Sequence, residues 1–157
     1  MLKLNSKAPN FSLPDQDGNI HSLNEYRDKW ILVYFYPKDD TAGCTKEACV
    51  IRDNLPDFKK LNCVVLGISA DSSESHEKFA KKYKLSFTLL ADEEKRVIKK
   101  YGAWQKKKFM GREYIGIKRK SYLIDPDGKV AKIYLDVKPA KHAEEVLNDL
   151  KSLECPD

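Results

Sequence analysis

The sequence predicts an α/β fold: a central mixed β-sheet flanked by helices on both faces. Three observations carry this. Trp30 to Tyr36 and Cys63 to Ser69 are continuous runs of mostly apolar residues, many β-branched or aromatic. That is the pattern of central strands covered on both faces. Segments with helical spacing and capping signals separate these runs from each other and from a third, Phe87 to Ala91. Pro126-Asp-Gly128 is a turn signal between two more β-like stretches, which makes the last pair antiparallel.

The elements follow in order. Asp15-Gln-Asp-Gly18 is a turn between short β-like pieces, an N-terminal hairpin ahead of the main sheet. Pro37 ends the first central strand. Ala42 to about Leu55 is expected to be helical, with Val50, Ile51, Asn54 and Leu55 at helical spacing and Pro56 as a kink or stop. Asp71-Ser-Ser caps a helix through Tyr83 whose inner side carries Phe79, Ala80 and Tyr83. Asp92 caps a short helix that ends at Gly102, a residue suited to the position after a helix. Residues 103–118 are polar and irregular and are expected to form a loop or loose hairpin. Arg119 to Asp125 is a strand, and Val130 to Leu135 returns beside it. Pro139 fits the first turn of a final helix with an apolar stripe of Ala143, Val146, Leu147, Leu150 and Leu153. A thioredoxin-like architecture has this order of elements, although order alone does not separate it from other α/β folds.

Composition narrows the function classes. The chain has 157 residues, 41% hydrophobic and 34% charged, which suits one globular domain spanning 1–157. No apolar run has the length of a membrane span. The N-terminus lacks the apolar stretch of a secretory signal, so a cytoplasmic location is expected. The net charge is +5, and Gln105 to Lys120 interleaves basic with aromatic residues as single-strand nucleic-acid binders do. The 24 acidic residues are spread through the chain, however, and no helix-turn-helix, zinc-finger or RRM signature is present. No nucleic-acid partner is expected. A mildly basic surface can still steer anions or an acidic reductase partner.

Four cysteines, at 44, 49, 63 and 155, need a role other than stapling in a reducing compartment. Cys44 follows a buried strand and opens a helix, the junction where α/β sheets bind ligands. There the unpaired backbone N–H groups and the positive end of the helix dipole favour a thiolate, which is the nucleophilic form. Thr41, three residues earlier, can cap the helix or hydrogen-bond the sulfur or a bound oxygen. A lone cysteine at a helix start is more often a small hydrophobe. A second cysteine at i+5, Cys49, beside a glycine-containing turn, shifts the balance toward chemistry. A zinc site would need a further ligand pair, and His21, His76 and His142 are scattered. The Cys-x-x-Cys of a thioredoxin-type dithiol is absent. Cys63, beside Val64 and Val65, is expected in the core, and Cys155 in an exposed tail.

The run Phe35-Tyr-Pro-Lys-Asp-Asp-Thr-Ala-Gly-Cys-Thr-Lys-Glu-Ala-Cys49 closely resembles the active-site segment of the bacterioferritin-comigratory, or Q-type, peroxiredoxins. The resemblance extends to Ala8–Pro14, Gly67–Asp71, Phe87–Asp92 and Arg119–Asp125, and so covers nearly the whole chain. It departs at Ala42, where the family usually has proline, and at Tyr122, where phenylalanine is frequent. The resemblance implies a thioredoxin-like fold with an N-terminal β-hairpin extension. It implies an atypical two-cysteine peroxidase that reduces hydrogen peroxide and organic hydroperoxides. In that reading Cys44 is the peroxidatic cysteine and Cys49 the resolving one. Pro37 shields the pocket, Thr41 orients the peroxide, Arg119 is the active-site arginine, and Glu47 positions it. The chemistry needs no metal or organic cofactor: a thiolate attacks the O–O bond, a sulfenic acid forms, and a second thiol condenses with it. Thioredoxin or a similar dithiol protein is the implied reductant, and a monomer is expected. A non-enzymatic peroxide sensor using the same cysteines is the alternative.

Overall fold

The computed structural model describes residues 2–154. Its elements are β1 (Ser12–Pro14), β2 (Ile20–Ser22), a 3-10 turn at Leu23–Tyr26, β3 (Trp30–Phe35), α1 (Ala42–Asp53), α2 (Leu55–Lys60) and β4 (Cys63–Ser69). They continue as α3 (Ser73–Tyr83), β5 (Thr88–Ala91), α4 (Arg96–Lys100), β6 (Trp104–Phe109), β7 (Arg112–Ile117), β8 (Lys120–Ile124), β9 (Val130–Tyr134) and α5 (His142–Glu154).

The central sheet has the order β5-β4-β3-β8-β9. β3 pairs with β4, and β4 with β5, in parallel; β8 is antiparallel to both β3 and β9. This is the expected mixed sheet, and the expected N-terminal hairpin forms from β1 and β2. β3 is central because every residue from Ile31 to Phe35 is buried. Alternate side chains feed two cores. Leu32 and Tyr34 pack with Val65, Leu89 and Leu123 under Ile51, Phe58, Phe79, Val146 and Leu150 of the helices. Ile31, Val33 and Phe35 pack with Leu66, Ile68, Tyr122 and Ile124 under Phe11, Leu23, Ile98 and Tyr101. The longer helices therefore share one face, and the other is covered by the N-terminal segment and the short α4.

Several boundaries differ from the sequence reading. The helix expected over 42–55 breaks at Asn54, and Pro56 sits in the first turn of α2, where its missing N–H costs nothing. Ser72 caps α3 by accepting from the Ser75 N–H at 3.1 Å, within the expected Asp-Ser-Ser signal. Asp92 does not occupy the cap position of α4; Lys95 does, in a left-handed conformation. Asp92 reaches forward instead and accepts from the Ile98 N–H at 2.8 Å. Residues 103–118, expected to form a loop or loose hairpin, contain a regular antiparallel hairpin, β6–β7, turned at Met110 and Gly111, both of positive φ. Such a turn matches the twist of its strands. Pro139 precedes α5 rather than lying in its first turn, because residues 138–141 form a separate turn closed by the His142 N–H to the Lys138 carbonyl at 3.0 Å. Cys63 is buried, as expected. Cys155, expected in an exposed tail, lies outside the described residues. No helix among the described residues is long and apolar enough to cross a membrane.

Candidate active site

β3 delivers the chain into a loop, residues 36–41, that ends at the start of α1. Two acids of this loop fasten it to α3. Asp39 accepts from Tyr36 Oη at 2.6 Å and Ser75 Oγ at 2.8 Å, and lies 2.7 Å from His76 Nδ1. Its own N–H donates to Asp71 Oδ2 at 2.9 Å. Asp40, at φ +61°, accepts from Lys82 Nζ and Tyr83 Oη, both at 2.7 Å. Among the described residues, Asp39, Asp71 and His76 form the one group close enough to share a metal ion, but their polar atoms are engaged with one another, Tyr36, Ser69 and Ser75.

Thr41 takes the helix-capping position with extended backbone, yet its hydroxyl does not cap: it donates to the Lys38 carbonyl at 3.0 Å. Pro37 is half-buried after the last residue pair of β3. Cys44 lies in the first turn of α1 and is 1% exposed. First-turn N–H groups have no intrahelical acceptor, so the backbone offers positive potential to its sulfur. Arg119, just before β8, extends its guanidinium across the start of α1. Nη2 donates to Cys44 Sγ at 3.2 Å, and Nη1 donates to Glu47 Oε1 at 3.1 Å. Two residues singled out from resemblance, Arg119 and Glu47, thus meet at the cysteine that follows the strand. Glu47 sits in the second turn of α1 and is 1% exposed.

Glu47 is pushed up to about 7, because burial outweighs the pull of the Arg119 cation and its hydrogen bond. Glu47 Oε2 and the Tyr34 hydroxyl are both buried with no hydrogen-bond partner among the described residues. Burial first, then the charges of Glu47 and Cys44, raise the Tyr34 phenol well above its ordinary range. Tyr34 and Cys44 belong to one core cluster. Lys107 of β6 donates to the Ile117 carbonyl at 2.9 Å, two residues before Arg119. Its ammonium is lowered by burial and by the Arg119 cation, and raised by Cys44.

Cys49 is on the same unbroken helix as Cys44, half-buried, and both are free thiols. The reduced fold therefore holds the two sulfurs apart on α1. The sequence reading did not identify Gly43, Tyr34 or Lys107. Gly43 is inside α1, not in a turn. A Cβ there would lie 2.5 Å from Arg119 Nη2, so the guanidinium occupies the space a side chain would take. Glycine at the second position of a helix, where alanine is preferred, was the visible signal. Tyr122, the departure from the family pattern, satisfies its hydroxyl by donating to the Tyr101 carbonyl.

Residues 4–133 match the family model described as the AhpC/TSA family. The chain is 49% identical over 150 residues to Peroxiredoxin Bcp of Escherichia coli K12, covering 96% of each chain. It is 41% identical over 152 residues to Peroxiredoxin Bcp of Bacillus subtilis, covering 97% of each. Its fold is similar to the crystal structure of a Xylella fastidiosa PrxQ mutant, with a TM-score of 0.93 and 32% identity over 99% of both chains. A structure of the Xanthomonas campestris bacterioferritin comigratory protein, described for its alkyl peroxide reduction activity, superposes with a TM-score of 0.90, also at 32% identity over 99% of both chains. By these likenesses the chain belongs to the AhpC/TSA family and, within it, to the peroxiredoxins of the Bcp and Q kind, which are thiol-dependent peroxidases with a thioredoxin-like fold.

Proposed function

We propose that Cys44 reduces hydrogen peroxide and organic hydroperoxides and that Cys49 resolves the product. The observation that carries this reading is the position of the Arg119 guanidinium, on Cys44 Sγ with one nitrogen and on Glu47 with another. The Cys44 thiolate attacks one oxygen of the peroxide in line. The O–O bond breaks, the leaving oxygen takes the electron pair and a proton, and Cys44 becomes a sulfenic acid. A guanidinium at this position stabilises both the attacking sulfur and the charge that develops on the leaving oxygen. In this reading Thr41, which precedes α1, orients the peroxide, while Pro37 of the same loop shields the sulfur. Glu47 holds Arg119 in place from the buried side.

Cys49 then attacks the sulfenic sulfur, water leaves, and a Cys44–Cys49 disulfide forms. A dithiol protein of the thioredoxin kind reduces it by exchange, ending as a disulfide itself and returning both thiols. A single domain over 1–157, acting as a monomer in the cytoplasm, completes the proposed arrangement. The chemistry uses side chains alone and takes no cofactor. The alternative, a sensor that passes oxidation to a partner, would use the same two cysteines. Peroxide consumption coupled to thioredoxin, thioredoxin reductase and NADPH tests the proposal. Sustained turnover that is lost in Cys44→Ser and in Cys49→Ser is expected, and a reaction that stops after one equivalent in the intact chain points to the sensor.

A further inference from the structure

The β6–β7 hairpin takes no direct part in the chemistry above, yet it has the composition of a binding surface. Among the described residues seven large hydrophobic side chains are exposed, and four of them, Phe109, Met110, Tyr114 and Ile115, are on this one hairpin. Phe109 is 66% and Met110 89% exposed. Aromatic side chains, methionine and arginine are the types enriched where proteins meet. The cross-strand pairs Lys107–Tyr114 and Phe109–Arg112 alternate with Lys106–Ile115 and Lys108–Glu113. One face of the ribbon thus presents Lys107, Phe109, Arg112 and Tyr114 together.

That face is tied to the redox site. Lys107 bridges back to the Ile117 carbonyl at the root of the hairpin, and the chain then runs through Lys118 into Arg119, whose guanidinium touches Cys44. Charge selects among occupants. Lys106, Lys107, Lys108 and Arg112 against Glu113 leave the hairpin with a net +3, on a chain of net +5. A second copy of the chain would bring like charges together, whereas an acidic partner is attracted and steered. The reaction itself calls for a protein that must reach the cysteines in every cycle.

We propose that this face of the β6–β7 hairpin, with Met110 at its tip, docks the acidic dithiol protein that reduces the Cys44–Cys49 disulfide. The proposal rests on the reading that a thioredoxin-type protein is the reductant. The hairpin gives that partner an apolar anchor and a basic rim beside the site, while small dithiols need neither.

The test compares two reductants on the full-length chain. Phe109→Ser/Met110→Ser removes the apolar tip, and Arg112→Glu reverses the exposed charge of the same face; all three positions are exposed, so the fold is retained. For each, the disulfide form is reduced with an acidic thioredoxin or with dithiothreitol, and the oxidation of Cys44 by peroxide is timed separately. The expected result is a loss of about tenfold or more in kcat/KM toward thioredoxin, carried by KM, as truncation of a central anchor produces. Dithiothreitol reduction and peroxide oxidation stay at the level of the intact chain. Raising ionic strength slows the thioredoxin reaction of the intact chain and has less effect on the charge-reversed form. Unchanged thioredoxin kinetics in both variants overturns the docking surface. Equal losses with dithiothreitol overturn it too, because the hairpin then acts on the site itself. If dithiothreitol reduces the intact chain and thioredoxin does not, the reductant reading fails and this surface falls with it. Hairpin-dependent sedimentation with phosphatidylserine vesicles, alongside unaltered thioredoxin kinetics, would instead assign the face to a membrane.

Discussion

Arg119 lies against Gly43 so closely that any side chain there would intrude on it: a Cβ on Gly43 would fall 2.5 Å from Nη2 and 3.3 Å from Cζ. The nitrogen it would meet is the one that donates to Cys44. Gly43→Ala therefore separates two effects. Alanine in a helix is favoured over glycine by about 1 kcal/mol, and the end of an arginine can swing aside, so thermal stability should hold or rise. The displaced guanidinium should slow Cys44 oxidation by roughly tenfold, in line with loss of an oriented charge-stabilising donor. Stopped-flow oxidation and a thermal melt on the same sample check the pair. A fall in both would mean that the contact is merely structural.

Arg119→Met should slow the reaction with peroxide far more than reduction of the disulfide. The guanidinium acts on the attacking sulfur and the leaving oxygen, which belong to the first step only. A loss on the order of a hundredfold or more in that step fits the removal of one such donor. Arg119→Lys should recover only part, since an ammonium cannot hold Cys44 and Glu47 with one planar group. Rates of the two half-reactions, measured separately, decide this. Equal slowing of both counts against the assignment.

Glu47 makes stability depend on pH. Its folded pKa is raised from the ordinary 4.5 to about 7, so the folded chain holds a proton that the unfolded chain releases. The contribution is fully present below about pH 4.5 and is lost as pH rises through 7. Over that window it amounts to on the order of 3 kcal/mol. Glu47→Gln, which stays neutral, should lack this loss. The difference in unfolding free energy between the two chains should shift in favour of the glutamine variant from about pH 5 to about pH 8, a range that brackets the folded pKa. Parallel denaturant curves across that range would contradict the buried, proton-holding carboxyl.

Oxidation should open the start of α1. On a regular helix, residues five apart have Cα atoms roughly 8–9 Å from each other. A disulfide spans about 4.4–6.8 Å between Cα atoms. The unbroken α1 cannot contain the Cys44–Cys49 bond, so residues 42–47 must unwind to form it. Opening also withdraws Cys44 from Arg119 and presents the disulfide to its reductant. Hydrogen exchange should show lost protection over residues 44–50 in the oxidised form and none over 30–36. Identical protection in both redox forms would rule this out.

Much of the fold was legible because burial leaves a mark on sequence. Trp30–Phe35 and Cys63–Ser69 read as central strands since both of their faces are covered. The Asp71-Ser-Ser capping signal, within which Ser72 is the cap, was legible because capping is local. The β6–β7 hairpin was legible only as a loop or loose hairpin, for the opposite reason: both its faces are largely wet, so no alternation of apolar and polar residues records its strands. Pro139 misled because a proline suits a turn before a helix as well as a helix start. In the site, Cys44 and Cys49 stood out through local context. Arg119 and Glu47, 72 residues apart, came only through resemblance, since nothing local marks them as neighbours. The fastening of Asp39 to His76, 37 residues away, and the space that Gly43 leaves for Arg119 are purely tertiary and left no trace that spacing could reveal.

The central claim is that Cys44 takes the oxygen and Cys49 displaces it as water. Mass spectrometry after one equivalent of peroxide tests it most directly. The intact chain should lose two hydrogens and yield a linked peptide pair joining Cys44 to Cys49. Cys49→Ser should stop one step earlier, with a single oxygen or its trapped adduct on Cys44, and Cys44→Ser should remain unmodified. A link from Cys44 to any other cysteine, or oxygen appearing first on Cys49, would contradict the account.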